Sequence, residues 1–141
     1  MRMSVNVSPC QFFSGALVPA VRRALEESGL PAACLMLEIT ESALLGNNDL
    51  TARQLHELRE LGVRLAIDDF GIGYSSLSYL RSLPIDTLKV DRSFVRDLPA
   101  NAETASIVTA ILALAKSLRL GVIAEGVETA EQARFLRTLG C

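Results

Sequence analysis

The sequence predicts a parallel α/β fold built from about five strand–helix units. Short runs of β-branched or apolar residues alternate with longer segments in which apolar residues recur every three or four positions. Parallel strands need long crossovers, usually helices, so this alternation is typical of an α/β protein. Half of the 141 residues are apolar and 5% are aromatic, which indicates a globular chain. We therefore expect a single domain over residues 1–141.

Five short runs are predicted as strands, each about as long as a buried strand. They are residues 3–7, 35–39, 64–67, 87–90 and 122–124. Five segments with helical spacing follow them, at residues 13–28, 50–61, 74–83, 104–120 and 129–140. The first four segments are closed by a glycine or a proline, namely Gly29, Gly62, Pro84 and Gly121. Thr129 and Gln132 have the spacing of a capping box at the start of the last segment.

Two architectures fit this order of elements. An open, doubly wound sheet of five strands suits a chain of this length. A (β/α)8 barrel usually needs about 250 residues, so the chain would form part of one. In both architectures a functional site is expected where the carboxyl ends of the strands meet. Periodicity does not choose between the two.

Charge and cysteine usage narrow the class of protein. The net charge of −2 gives no electrostatic reason to expect a nucleic-acid polymer or an anionic membrane as a partner. The three cysteines form no CxxC pair, so neither a disulfide framework nor a zinc site is predicted. Lys116 and Arg119 interrupt the most apolar stretch, so no membrane-spanning segment is expected. We expect a cytoplasmic location.

Polar side chains stand at or near the end of every predicted strand. They are Asn6, Glu38, the pair Asp68 and Asp69, Lys89 with Asp91, and Glu125 with Glu128. Carboxylates that converge on one mouth repel one another, and bound divalent cations remove that penalty. Carboxylate and carboxamide oxygens suit Mg²⁺, Mn²⁺ or Ca²⁺ rather than zinc. With two metals, a bound water becomes a nucleophile toward a phosphodiester, and Lys89 would orient that water.

The acidic residues at the strand ends also have a simpler interpretation than a metal site. Each acid could cap the next helix or pair with a surface base, although this is less expected of all five strands at once.

Gly71 and Gly73 flank one residue just after the third strand, which permits a tight loop close to a ligand or metal. The loop is no dinucleotide fingerprint, because Ser76 stands at the third glycine position. A plain strand-to-helix turn is the alternative.

Five segments of the sequence resemble motifs of the EAL domain family, in the order and at the spacing of that family. They are SVNVS at 4–8, EITES at 38–42, DDFGIGYSSL at 68–77, LKVD at 88–91 and AEGVE at 124–128. Together they cover essentially the whole chain. The resemblance implies a modified (β/α)8 barrel, and so favours the barrel over the open sheet. It also implies hydrolysis of cyclic di-GMP to linear pGpG by a two-metal mechanism with Mg²⁺ or Mn²⁺.

The resemblance assigns metal ligands by position. Family residues that match Asn6, Glu38 and Asp68 bind the first metal. Those that match Asp68, Asp69 and Glu125 bind the second, with Asp68 bridging the two. We expect Glu125 and Lys89 to be the catalytic residues.

The resemblance also assigns supporting roles. Lys89 matches a lysine that contacts the catalytic water. Glu41 matches a glutamate that holds the loop after the Asp pair, the loop that contains Gly71 and Gly73. Asp91 and Glu128 match supporting positions.

The chain departs from the family pattern at both ends. The family's Glu-Ala-Leu motif on the first strand, whose glutamate binds the first metal, is absent, and the chain ends before the family's later Gln-Gly-Tyr segment. We therefore interpret it as a truncated EAL-type domain, a partial barrel without its first and last strands, whose activity is lost or impaired. Longer relatives are expected to carry sensor or GGDEF-type domains. A homodimer is left open.

Two other hypotheses compete with the enzyme. A non-catalytic module that binds cyclic di-GMP or a protein would explain the missing glutamate. Every ligand inside the covered span is retained, however, which favours the enzyme. A receiver-like signalling domain would also hold an acidic pair and a lysine near Mg²⁺. Its acidic pair is expected after the first strand, whereas Asp68 and Asp69 follow the third.

Overall fold

The computed structural model describes residues 2–44, 48–73 and 77–141. Within these ranges five strands form one sheet: β1 (Met3–Val7), β2 (Leu35–Thr40), β3 (Arg64–Phe70), β4 (Thr87–Val90) and β5 (Gly121–Ala124). The β1–β2 and β4–β5 pairs are parallel. The strands lie in the sheet in the order in which they occur in the chain. A doubly wound sheet reverses its strand order at a switch point, whereas successive βα units of a barrel do not, so this order favours part of a barrel.

Eight α-helices connect or follow the strands in the described ranges. They are α1 (Pro9–Phe13), α2 (Leu17–Ser28), α3 (Glu41–Leu44), α4 (Asn48–Glu60), α5 (Leu77–Ser82), α6 (Arg92–Arg96), α7 (Ala102–Leu118) and α8 (Ala130–Thr138). A 3₁₀ turn (Ala32–Cys34) precedes β2. All five predicted helical segments are therefore present in some form, and residues 74–76 of the third lie outside the described residues.

Three details differ from the sequence prediction, each for a local reason. The helix predicted at 13–28 is divided between α1 and α2, because Gly15 adopts a left-handed conformation with φ of 71°. Helices α3 and α6 are too short to show a helical period. Strand β3 continues through the acidic pair to Phe70, which is 6% exposed, whereas the apolar run that predicted the strand stops at Ile67.

The chain divides into two compact units. The first comprises Met1–Ile67 and Ser75–Asp86, and the second comprises Asp68–Tyr74 and Thr87–Cys141. Large apolar side chains that are fully buried form a core in each. In the first unit they are Phe12, Ile39, Leu55, Leu58, Val63, Leu65 and Ile67. In the second they are Leu88, Val90, Val95 and Val108.

Asp86 ties the chain before β4 to the start of β3. Its carboxylate accepts a hydrogen bond from Leu65 N at 2.9 Å and pairs with the Arg59 guanidinium, and Asp86 N donates to Leu65 O at 2.9 Å. Leu65 itself is fully buried. Asp86 thus forms hydrogen bonds to Leu65 of β3 through both its side chain and its backbone amide.

We expect Asp86→Ala to lower the free energy of unfolding by about 2 kcal/mol, because the Leu65 amide then has no acceptor. The control is Asp97→Ala, which removes an exposed pair with Arg96 and should cost about 0.5 kcal/mol or less. Denaturant unfolding of the two variants provides the comparison. Equal losses would contradict the role given to Asp86.

In the described part of the chain, no helix combines the length and apolar character needed to cross a bilayer.

Candidate functional site

The acidic pair at the end of β3 departs from regular strand geometry. Successive residues of a strand point to opposite faces, so Asp68 and Asp69 would normally diverge. Asp69, however, has φ of 54°, in the left-handed region that Asp tolerates better than most residues. Its amide donates to Asp68 Oδ1 at 3.1 Å. The backbone at this point therefore interrupts the alternation of the strand, which hydrophobic patterning does not predict.

Lys89 places a buried ammonium group between two of the predicted ligands. The residue lies on β4 and is 6% exposed. Its Nζ lies 2.9 Å from Asp68 Oδ1 and 2.6 Å from Glu125 Oε1. A buried charge is tolerated when it is paired and hydrogen-bonded. The structure therefore brings Lys89, Asp68 and Glu125 together in the second unit.

Asp69 feels the negative charge of its neighbours. Burial raises the pKa of its carboxyl group above the ordinary value, and repulsion from Asp68, Asp91 and Glu125 raises the pKa further. The carboxylates therefore lie close enough to repel one another. A divalent cation would relieve this repulsion.

Asp91 caps helix α6. Its carboxylate accepts a hydrogen bond from Ser93 N at 2.9 Å. Hydrogen bonds from Ser93 lower the pKa of Asp91 below its ordinary value, against the opposing effect of burial. For this acid the simpler interpretation, a helix cap, is the one observed.

The loop after the acidic pair needs glycine at position 71. Gly71 has φ of 104°, and a Cβ at this position would lie 3.1 Å from both Ile111 Cδ1 and the Phe94 ring. The backbone of the turn thus packs directly on side chains of α7 and α6. Gly73 lies in the exposed bend that follows. The rest of the predicted loop motif, residues 74–76, lies outside the described residues.

Glu125 begins the loop that follows β5. Its amide donates to Val90 O at 3.1 Å, which continues the pairing of β4 with β5. The next residue, Gly126, has φ of 68°, and a Cβ there would lie 2.8 Å from Arg92 Cβ. The loop therefore passes against the first turn of α6. Sequence reasoning missed Gly126, although a glycine beside a predicted ligand was a usable signal.

Gly126→Ala should displace this loop, and Gly29→Ala is a matched control. Gly29 has φ of 67°, but a methyl group added at this position would meet nothing within 4 Å. We expect Gly29→Ala to cost about 1 kcal/mol of folding free energy through left-handed strain. Gly126→Ala should cost about 1–3 kcal/mol more, because the methyl group collides with Arg92. Denaturant unfolding measures both losses. Equal losses would show that the loop moves away from Arg92 without a cost in folding free energy.

Three predicted site residues belong to the first unit. Asn6 on β1 is the register partner of Glu38 on β2, so the two side chains are neighbours across a parallel pair. Glu38 is 7% exposed, while Asn6 is exposed. Glu41 begins α3 and is 3% exposed. Buried carboxylates at these positions are costly unless a partner or a cation compensates them.

A cavity of about 570 Å³ opens in the second unit beside the acidic pair. Three predicted site residues line it, together with two arginines; these five are Asp69, Asp91, Glu128, Arg92 and Arg96. Its volume is in the range of small-molecule sites. Carboxylates and guanidinium groups in one cavity allow it to hold both a cation and an anionic ligand. Neither arginine was singled out from the sequence.

The predicted metal ligands do not form a compact acidic cluster in the part of the chain that the structure describes. Among the residues that the structure describes, no three His, Cys, Asp or Glu side chains form a ready metal cluster. Between Asp68 and Glu125, the Lys89 ammonium supplies the positive charge. The donor chemistry nevertheless fits a hard divalent cation, because Asp68, Asp69 and Glu125 all offer carboxylate oxygens.

Comparison with known proteins gives the family. Residues 1–141 match the EAL domain family. The cyclic di-GMP phosphodiesterase NbdA of Pseudomonas aeruginosa is 54% identical over 141 residues, which is 100% of this chain and 18% of NbdA. The bifunctional diguanylate cyclase/cyclic di-GMP phosphodiesterase MucR of the same species is 46% identical over 99% of this chain and 20% of MucR. The chain thus spans about a fifth of the length of these curated relatives.

Solved structures agree. The PaMucR phosphodiesterase in complex with c-di-GMP has a TM-score of 0.96 and 46% identity, over 99% of this chain and 57% of that one. The manganese/cy-diGMP complex of BlrP1 from Klebsiella pneumoniae has a TM-score of 0.89 and 34% identity, over 99% of this chain and 36% of that one. The predicted fold, a parallel α/β sheet that forms part of a (β/α)8 barrel, is confirmed. The chain belongs to the EAL domain family.

Proposed function

We propose that this chain carries the central catalytic residues of a cyclic di-GMP phosphodiesterase, which opens cyclic di-GMP to linear pGpG. The observation that carries the proposal is the buried Lys89 ammonium held between Asp68 and Glu125. Relatives named as cyclic di-GMP phosphodiesterases support it. Two divalent ions, Mg²⁺ or Mn²⁺, are the proposed cofactors, and the calcium/cy-diGMP and manganese/cy-diGMP complexes of BlrP1 support a divalent metal.

The metal ligands are assigned as the family motifs suggest. Asn6, Glu38 and Asp68 would hold one ion, and Asp68, Asp69 and Glu125 would hold the other. When bound, the two ions would lower the pKa of a water molecule and shield the charge of the phosphodiester. The protein's own task is to place oxygen ligands where their mutual repulsion favours cation binding.

Lys89 is the catalytic residue that keeps a positive charge at the reacting centre. Its Nζ is paired with the Asp68 carboxylate at 2.9 Å and with the Glu125 carboxylate at 2.6 Å. Held in this way, Nζ can donate a hydrogen bond to the attacking water and offset the charge that grows on the phosphate oxygens. Glu125 serves both as a ligand and as the second partner of Lys89.

Five residues support these groups. Asp91 caps α6 directly after β4, and so fixes the chain that leaves Lys89. Gly71 and Gly73 lie in the loop after the acidic pair, and the family motif assigns to Glu41 the role of holding that loop. Glu128 lines the cavity next to Asp69 and contributes negative charge there.

The proposal also includes the cellular location of the chain and the domains that are fused to it. We place the chain in the cytoplasm, in line with its cysteine usage. A sensor or GGDEF-type domain on the same polypeptide would control the site, and the relative named as a bifunctional diguanylate cyclase/phosphodiesterase supports such a fusion. A homodimer is compatible with the proposal.

The test follows linear pGpG formed from cyclic di-GMP in the presence of Mg²⁺ or Mn²⁺. The 141-residue chain is assayed beside a chimaera in which it replaces the matching segment of the PaMucR phosphodiesterase. Turnover by the chain itself supports the proposal and shows that the first-strand glutamate is dispensable or supplied by another chain. Turnover by the chimaera alone shows that the chemistry is encoded here and needs the remaining barrel strands.

Silence in both proteins would overturn the proposal. Nucleotide binding without turnover would then indicate the non-catalytic module. Equilibrium dialysis with cyclic di-GMP distinguishes this outcome from a chain that does not bind at all.

A further inference from the structure

Gln132 has a side chain whose polar atoms are all engaged. The residue lies in the first turn of α8 and is 5% exposed. Its Oε1 accepts hydrogen bonds from Glu128 N at 2.8 Å and Thr129 N at 3.0 Å. Its Nε2 donates to Arg96 O at 3.1 Å. The first two bonds close the loop onto α8, whereas the third reaches a residue 36 positions earlier.

Helix capping does not account for the third bond. In the capping box of α1, Gln11 is exposed and its Oε1 accepts from Ser8 N at 3.0 Å. At α7, Asn101 accepts from two amides at 3.0 and 3.1 Å and is also exposed. Gln132 differs from both in being buried and in donating to Arg96 O. Arg96 ends α6, where backbone carbonyls lack helical partners.

The bond to Arg96 joins the two segments that carry the reacting groups. Helix α6 begins three residues after Lys89, and the loop held by Gln132 begins at Glu125. These two segments meet at the Lys89–Glu125 ion pair, 2.6 Å long, and meet again at Gln132 and Arg96. Between the two contacts, Gly126 lies against Arg92. The loop is thus fixed at its start, its middle and its end.

We propose that Gln132 is a positioning residue for Glu125: it fixes the loop of residues 125–129 against α6 and so sets the distance from Glu125 to Lys89 and to the bound cation. This inference rests on the proposed phosphodiesterase function. It assigns to a buried carboxamide outside the predicted ligand set a role in metal affinity.

The decisive variant is Gln132→Glu. Glutamate serves a capping box as well as glutamine does, so the acceptor for Glu128 N and Thr129 N is kept. The donor to Arg96 O is lost. In the protein version that turns over, we expect the Mn²⁺ concentration for half-maximal activity to rise about tenfold or more. The control Asn101→Ala removes two capping bonds elsewhere and should leave this concentration unchanged.

A second readout does not depend on activity. Amide hydrogen exchange at Glu125 N, which donates to Val90 O, reports whether the loop is held. We expect exchange about tenfold faster in metal-free Gln132→Glu than in Asn101→Ala. If Gln132→Glu does not fold, Gln132→Met takes its place in both measurements, with Thr129→Ala as its control, because Thr129→Ala removes a capping bond of the same helix and keeps the bond to Arg96 O.

The outcomes separate the two proposals. Faster exchange at Glu125 with a higher Mn²⁺ requirement supports the positioning role. Unchanged exchange, or an unchanged Mn²⁺ requirement in an active protein, overturns it and leaves Gln132 as a helix cap. If the unmodified protein is inactive in every version, the phosphodiesterase function has failed, and exchange at Glu125 still decides whether Gln132 holds the loop.

Discussion

Asp68→Asn is expected to abolish hydrolysis of cyclic di-GMP, with a loss of roughly a thousandfold or more in kcat, equivalent to about 4 kcal/mol of transition-state stabilisation. Asparagine keeps the size of the side chain but removes the charge that a bridging ligand needs. It also removes one of the two carboxylates that face Lys89. The measurement is the rate of pGpG formation at saturating Mn²⁺ in the version of the protein that turns over.

Asp49→Asn is the matched control for this variant. Asp49 lies in the first turn of α4 and is exposed, and it belongs to none of the proposed ligand sets. It should keep the activity of the unmodified protein within about twofold, since exposed substitutions of this kind rarely matter. Near-normal turnover of Asp68→Asn would remove the bridging ligand from the proposal. Thermal unfolding of both variants is also measured. A variant that fails to fold is then not mistaken for one that has lost catalytic activity.

The sheet could be predicted from the sequence because β2, β3 and β4 are largely buried and consist mainly of apolar or β-branched residues. The end of β3 could not, since Asp68 and Asp69 interrupt the run while the backbone remains extended up to them. Hydrophobic patterning marks the strand by what is buried, and functional acids are by nature exceptions to that pattern. The acidic residues that break the apolar pattern of β3 are also candidate site residues.

The candidate site residues could be proposed from the sequence, but their contacts could not. Motif spacing placed Lys89, Asp68 and Glu125 near strand ends, and parallel strands bring such ends together. The ion pairs among them depend on strand register and on side-chain conformation, which periodicity does not contain. Gln132 shows the limit most clearly. Its capping box is local and was visible in the sequence, whereas its bond to Arg96 spans 36 positions and follows from tertiary packing.

Lys89→Met is expected to destabilise the metal-free protein as well as to inactivate it. Methionine fills a similar space without the charge, so Asp68 and Glu125 lose the ammonium that compensates them. Breaking a buried ion pair at one partner costs about 3–5 kcal/mol, and the lower value applies here because the Glu125 side chain is 36% exposed. Denaturant unfolding in the presence of a chelator measures the loss.

The decisive comparison adds either a cation or a second substitution. Excess Mn²⁺ should recover much of the lost stability of Lys89→Met, because a divalent ion between the carboxylates replaces the missing positive charge. The double variant Lys89→Met/Asp68→Asn should be more stable than Lys89→Met in the absence of metal, because one repelling charge is gone, and the double-mutant cycle gives the coupling between the two residues. Additive losses and no response to Mn²⁺ would show that Lys89 stabilises the protein through packing alone, and that these carboxylates do not hold a metal.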